Sequence, residues 1–219
     1  MSRADRPTAV RTALILAGGE PPLPRLRDDL VTGVDLVIAA DGGLAHAAAL
    51  GVTPDLIVGD LDSAAPGLLG QHAEVERQTH PARKDQLDLE LALDAAVARG
   101  ATALRIAGAF GGRLDQSLAA LLIAARRAAG GTQVSLHSGR DEVILVAPGV
   151  SLQAATRVGA TVSLLALGDG AVVSFSGVEY PLERAPLPYG TGLGVSNVAL
   201  GAEVSLSVHG GVVALLLAH

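Results

Sequence analysis

Up to about residue 137 the chain repeats one pattern: a short apolar run, a cluster of Gly and Asp or a basic residue, then a stretch with helical spacing. The apolar runs are Thr12–Ala17, Asp35–Ala39, Leu56–Val58 and Leu104–Ala107, with a weaker run at Glu74–Gln78 and a closing one at Gln133–His137. A strand that is apolar throughout is buried on both faces, and the intervening helices supply the crossovers that parallel pairing requires. The pattern predicts an α/β fold, a mostly parallel sheet with helices on both faces. Ligands bind such sheets at the carboxyl ends of the strands. Gly18-Gly19, Asp41-Gly42-Gly43, Gly59-Asp60-Leu61-Asp62-Ser63 and Gly111-Gly112-Arg113-Leu114-Asp115 all fall just after strands, and therefore on one rim.

After about residue 138 the helical spacing stops. Short Val/Leu/Ser runs at Glu142–Val146, Thr161–Ala166, Ala171–Phe175, Ala202–Val208 and Val212–Leu217 are separated by Gly, Pro and Asp. That spacing predicts a smaller all-β sandwich. The expected division is an α/β domain over 1–138 and a β domain over 139–219. Within the first, a helix from about Asp88 to Arg99 should bury Leu89, Leu93, Ala96 and Val97 and stop at Gly100.

Composition excludes several classes. The chain has no cysteine, which removes disulfides, thiolate metal sites and cysteine nucleophiles, and it fits a cytoplasmic protein. A formal charge of −6 counts against a nucleic-acid partner held by a basic surface. Arg3, Arg6 and Arg11 precede an apolar run that Gly18-Gly19 breaks too soon for a signal sequence, and no run approaches the roughly 20 residues that span a bilayer. No membrane association is expected.

Beyond Leu56-Ile57-Val58, Asp60 and Asp62 point to the same side of extended chain. Two carboxylates about 5 Å apart repel by roughly 3 kcal/mol at an effective dielectric near 20. A shared proton, a basic partner or a divalent cation would offset this, and oxygen-only ligands suit Mg²⁺ beside substrate phosphates. The same residue types also build an ordinary turn. Asp85 and Asp88 read equally as helix-start residues, Asp85 as the N-cap, or as the completion of an Asp60/Asp62 metal site with Lys84 on phosphate. Gly111-Gly112-Arg113 suits a phosphate through backbone approach and a guanidinium fork, yet matches neither a Walker loop nor a dinucleotide fingerprint. The six histidines show no metal-ligand spacing, and Ser63 lacks the surroundings of a serine nucleophile.

In order, Ala-Asp-Gly-Gly at 40–43, Pro-Asp at 54–55 with Gly-Asp-x-Asp-Ser at 59–63, Lys-Asp-x-x-Asp at 84–88 and Gly-Gly-Arg-x-Asp at 111–115 resemble the thiamine pyrophosphokinase family. Gly177-Val178-Glu179-Tyr180-Pro181-Leu182 and Gly194-Val195-Ser196-Asn197 extend the resemblance over nearly the whole chain. It implies an α/β catalytic domain, a β-sandwich that helps hold thiamine, and a homodimer with active sites between subunits. It implies Mg²⁺-dependent transfer of diphosphate from ATP to the thiamine hydroxyl, releasing AMP. By position, Asp60, Asp62 and Asp88 correspond to metal ligands, with Lys84 and Arg113 as further catalytic residues. Asp41, Gly42, Ser63, Lys84, Asp85, Arg113, Asp115 and Gln116 correspond to ATP contacts, and Tyr180, Ser196 and Asn197 to the thiamine-binding surface. Leu87 departs from the family's usual Thr, Gln116 from the His of many bacterial members, and Tyr180 from the Trp common in animal enzymes. The rival readings are a diphosphotransferase for another hydroxymethyl acceptor, such as a pterin, and a non-catalytic thiamine or nucleotide sensor.

Overall fold

The computed structural model describes residues 11–60, 66–81, 85–139 and 141–218. Its contacts form two units, one reaching Ile123 and taking in Leu136–Gly139, the other holding Ala124–Ser135 and the chain beyond residue 140.

In the first unit β1 (Thr12–Leu16), β2 (Leu36–Ala40), β3 (Leu56–Gly59), β4 (Glu76–Thr79) and β5 (Ala103–Ala107) pair in the order β5-β1-β2-β3-β4. All four pairings are parallel. Register sets the layers. Leu16 lies opposite Ala39 and Ala107, and Ala39 opposite Ile57. Side chains alternate along a strand, so Leu14, Leu16, Val37, Ala39 and Ile57 share one face. There they pack with residues of α1 (Arg27–Val31), α2 (Leu44–Leu50) and α3 (Pro66–Gln71). Ile15, Ile38, Leu56 and Val58 take the other face, and α4 (Asp88–Ala98) packs across β1, β2 and β3. Leu14, Ile15, Leu16 and Ile38 are fully buried, each contributing about 1.5–3 kcal/mol.

Two local expectations shift. α4 buries Leu89, Leu91, Ala92, Leu93, Ala95 and Ala96 while Val97 is exposed. At 3.6 residues per turn that buried arc centres near Ala92 and leaves Val97 outside it. The N-cap of α4 is Leu87, with no side-chain cap, and Asp88 is the first helical residue. Asp85 is exposed and precedes the cap, so the N-cap role expected for it is not filled.

From β1 the chain moves outward to β4, then returns on the other side of β1 as β5. The connections after β1 and β5 therefore diverge, which opens a crevice at the carboxyl ends of these neighbouring strands. After β5 come α5 (Leu114–Ala129) and β6 (Gln133–His137).

The second unit's β strands are β7 (Asp141–Val146), β8 (Ser151–Ala155), β9 (Thr161–Ser176), β10 (Leu182–Leu187), β11 (Asn197–Val198) and β12 (Glu203–Ala218). Their pairings are antiparallel: β12 with β7, β8 and β9, and β9 with β10 and β11. The separate runs expected at 161–166 and 171–175 are halves of one strand, as are those at 202–208 and 212–217. In β9 the buried set changes from Val162, Leu164 and Ala166 to Ala171, Val173 and Phe175; in β12 it changes from Val204, Leu206 and Val208 to Val213, Leu215 and Leu217. The switch from even to odd positions accompanies register shifts at Val208/Gly210 and Gly210/Val212. Such a bulge re-aims the pleat without ending the strand, so both halves of the β9–β12 ribbon feed one core. Gly211, at φ +73°, is needed there because a Cβ would overlap the Gly170 carbonyl. Among the described residues no helix is long and apolar enough to cross a membrane.

Candidate active site

The crevice in the first unit is a cavity of about 580 Å³. Residues 17–21 after β1, 40–42 after β2 and 87–89 at the start of α4 line it, together with Gly108, Gly111, Arg113 and Gln116 after β5. Its floor is mainly backbone. The β1–β5 ladder runs on into the loops, with the Ala17 amide donating to the Ala107 carbonyl at 2.8 Å, Gly19 to Gly108 at 2.7 Å and Glu20 to Phe110 at 2.7 Å. A Cβ on Gly18 would sit 3.3 Å from the Gly42 Cα, so the loops after β1 and β2 are in contact. A glycine floor lets a phosphate chain approach backbone N–H groups closely.

Two of the acidic side chains that line this crevice, Asp41 and Asp88, come together at Gly59. A Cβ on Gly59 would lie 3.0 Å from Asp88 Oδ1 and 3.2 Å from the Asp41 Cβ. Asp41 and Asp88 therefore both abut the backbone that leads into Asp60. Asp41 adopts a left-handed φ of +46°, and its Oδ1 is buried without a hydrogen-bond partner. An unsatisfied buried acceptor costs about 1–3 kcal/mol, and strain at such sites is commonly tied to function. A hard cation or a donor from a ligand would satisfy that oxygen, so the carboxylate oxygens here fit Mg²⁺ chemistry. Among the described residues no three His, Asp or Glu side chains form a complete metal-binding group. Asp62 and Ser63, expected beside Asp60, lie outside the described residues, as does Lys84.

Arg113 and Asp115 pair on the rim, with Nε at 3.1 Å from Oδ1 and Nη2 at 2.5 Å from Oδ2. Both are largely exposed, at 72% and 64%. The pair pulls the Asp115 carboxyl below the ordinary carboxylate range and raises the Arg113 guanidinium. Arg113 and Gln116 line the cavity, whereas Asp115 acts on it through Arg113. Asp85 is exposed and does not line it.

Sequence reasoning passed over Glu20 and His46, and it noted Leu87 only as a departure from the family's Thr. Glu20 lines the crevice and lies against Gly111, where any Cβ would overlap the Glu20 side chain. Leu87 supplies an apolar wall. His46, on α2, is 7% exposed and sits beneath the floor, with Nδ1 2.7 Å from where a Gly108 Cβ would stand. Burial lowers its pKa and favours a neutral ring, and the Ala17 backbone only partly opposes this. The signal for the first was present: Gly18-Gly19 follows the strand at which the chain direction reverses.

In the second unit Tyr180 is 65% exposed, and its backbone is held by the buried Asn197. Asn197 Oδ1 accepts from the Tyr180 amide at 3.1 Å and from the Val198 amide at 2.9 Å, while Nδ2 donates to the Tyr180 carbonyl at 2.8 Å. Ser196 is exposed in a left-handed conformation, φ +61°, and its amide donates to Ser163 Oγ at 3.0 Å.

Residues 28–136 match the thiamin pyrophosphokinase catalytic domain, and residues 150–213 match the thiamin pyrophosphokinase vitamin B1 binding domain. A thiamine pyrophosphokinase of Bacillus subtilis is 25% identical over 222 residues, covering 94% of this chain and 98% of the relative. The crystal structure of the Bacillus subtilis thiamine pyrophosphokinase aligns with a TM-score of 0.83 at 22% identity, over 95% of this chain and 99% of that one. The corresponding structure from Geobacillus thermodenitrificans aligns at 0.81 and 24% identity, over 95% and 97%. A thiamin pyrophosphokinase family protein of Enterococcus faecalis aligns at 0.76 and 25% identity, over 95% and 99%.

Proposed function

The chain belongs to the thiamine pyrophosphokinase family of ATP:thiamine diphosphotransferases, and from that membership we propose that it transfers the diphosphoryl group of ATP to the thiamine hydroxyl, releasing AMP. We propose further that it acts as a cytoplasmic homodimer whose active sites lie between subunits, with Mg²⁺ as cofactor. The observation that carries the catalytic assignment is the crevice itself, where Asp41 and Asp88 meet at Gly59 beside a glycine floor.

Asp60, Asp62 and Asp88 would hold the cation. Bound Mg²⁺ supplies neutralisation of phosphate charge. Asp41, Gly42, Ser63, Lys84 and Gln116 contact ATP, and its phosphates lie along the glycine floor; Asp85 stands outside that lining. Lys84 and Arg113 stabilise negative charge developing towards AMP; such transfers depend mainly on positioning and electrostatics. Asp115 holds the Arg113 fork in plane. That pairing engages both Asp115 carboxylate oxygens, so Asp115 positions Arg113 rather than the attacking hydroxyl. Tyr180 offers its ring to the cationic thiazolium, an attraction of about 0.5–2 kcal/mol. Ser196 borders the same surface, and Asn197 serves it by fixing the Tyr180 backbone.

The test is to incubate the protein with Mg²⁺, ATP and thiamine and identify both products. AMP with thiamine diphosphate supports the reading. ADP would indicate transfer of a single phosphoryl group, and no turnover with thiamine would overturn the assignment.

A further inference from the structure

Away from the crevice, a polar row crosses the second unit's strands. Ser151 Oγ lies 2.8 Å from Ser207 Oγ, Ser207 is paired opposite Ser174, and Ser174 Oγ lies 2.9 Å from His209 Nε2. The row ends at Arg184, whose Nη1 is 3.4 Å from His209 Nδ1. Arg184 stands in the irregular stretch between Leu182 and Ala185 of β10, at φ +42°, and its amide donates to Ser174 Oγ at 3.0 Å.

This arrangement is costly for a surface contact. A left-handed φ on a residue with a Cβ costs about 1–3 kcal/mol. It brings a guanidinium against an imidazole, which repel whenever the ring is protonated. Among the described residues no carboxylate pairs with Arg184, although the chain carries a net charge of −6. A guanidinium donating to Nδ1 makes Nε2 the protonated nitrogen, which donates to Ser174 Oγ. Ser174 Oγ then accepts from both Nε2–H and the Arg184 amide, so its own hydrogen is free to donate outward. The guanidinium keeps further N–H groups for a second acceptor.

We propose that Arg184, Ser174 and His209 form a binding site for a phosphate dianion, either free or at the end of a small phosphate monoester. The planar fork of Arg suits two oxygens of a tetrahedral phosphate, and the strained backbone is what brings it to Ser174 and His209. No step of diphosphate transfer uses these residues.

The test follows the His209 imidazole by long-range ¹H–¹⁵N NMR, its signals assigned by their loss in His209→Gln, during titration with inorganic phosphate and separately with glycerol 3-phosphate. Saturable shifts at millimolar ligand are expected, at least tenfold weaker in Arg184→Gly. Glycine suits the left-handed φ, so this variant should fold and melt no lower than the parent. Tighter binding of the ester assigns a phosphorylated metabolite, and equal or tighter binding of inorganic phosphate assigns the free ion. No saturable shift with either probe, or shifts unchanged in Arg184→Gly, would overturn the proposal.

Discussion

Gly59 is where a single atom separates two outcomes. At φ +141° a Cβ there would lie 3.0 Å from Asp88 Oδ1 and 3.2 Å from the Asp41 Cβ. Gly59→Ala should cost about 1–3 kcal/mol of stability and, by displacing Asp88, lower kcat/KM at least a hundredfold while circular dichroism stays native. Unchanged kcat/KM in a folded variant would remove Asp88 from the site. Asn197 makes a comparable test in the second unit. Asn197→Ala strands the amide and carbonyl of Tyr180, which should cost about 1–3 kcal/mol and raise the thiamine KM severalfold with the ATP KM unchanged. Tyr180→Leu should give the same KM pattern without the loss of stability. If only melting temperature changes in both variants, the ring is not the thiamine platform.

At the scale of elements, two termini carry measurable effects. The N-cap of α4 is Leu87, whose side chain cannot cap the helix. Leu87→Thr should stabilise the protein by about 0.5–2 kcal/mol if the hydroxyl accepts from the first turn, read as a higher melting temperature; no increase would mean the loop cannot bring the hydroxyl to those amides. β1 is tied at its start, since Asp35 Oδ2 accepts from the Arg11 and Thr12 amides at 2.9 and 3.0 Å. The Thr12 amide and then the Arg11 amide lower the Asp35 pKa. Its contribution is therefore present above the unfolded carboxylate pKa of about 3.9 and is lost as pH falls through the lower folded value. Exposed groups are screened, so Asp35→Asn should cost on the order of 1 kcal/mol at pH 7. Denaturant titrations of the two proteins should converge as the Asp35 carboxyl becomes protonated in the folded protein; a gap that persists once it is protonated would assign the effect to packing.

At the scale of the whole molecule, the proposed sharing of sites between subunits is open to complementation. Asp88→Asn alters the α/β unit and Tyr180→Leu the β unit. If each site draws one unit from each subunit, random exchange makes half the dimers mixed, and each mixed dimer keeps one intact site. The mixture should then recover about a quarter of parental activity at low thiamine. Mixed dimers that form and show only the average of the two parents would place each site within one chain.

How much was legible in the sequence differs by unit for a physical reason. Periodicity is local, so the strands, α4, the rim that carries Gly18, Asp41, Gly111 and Arg113, and the change from helix-spaced to β structure could all be read from it. The N-cap was misread because Asp85 and Leu87 differ in capping chemistry, while the chain path places the helix start at Asp88. The long strands β9 and β12 were read as four because glycines at 168, 170, 210 and 211 signal turns equally well, and only pairing with a neighbouring strand makes them bulges. Non-local contacts alone decided the rest. Asn197 is spent on Tyr180 across 17 residues of sequence, Glu20 lies on Gly111, and His46 sits beneath Gly108, because each depends on how separate strands register in space.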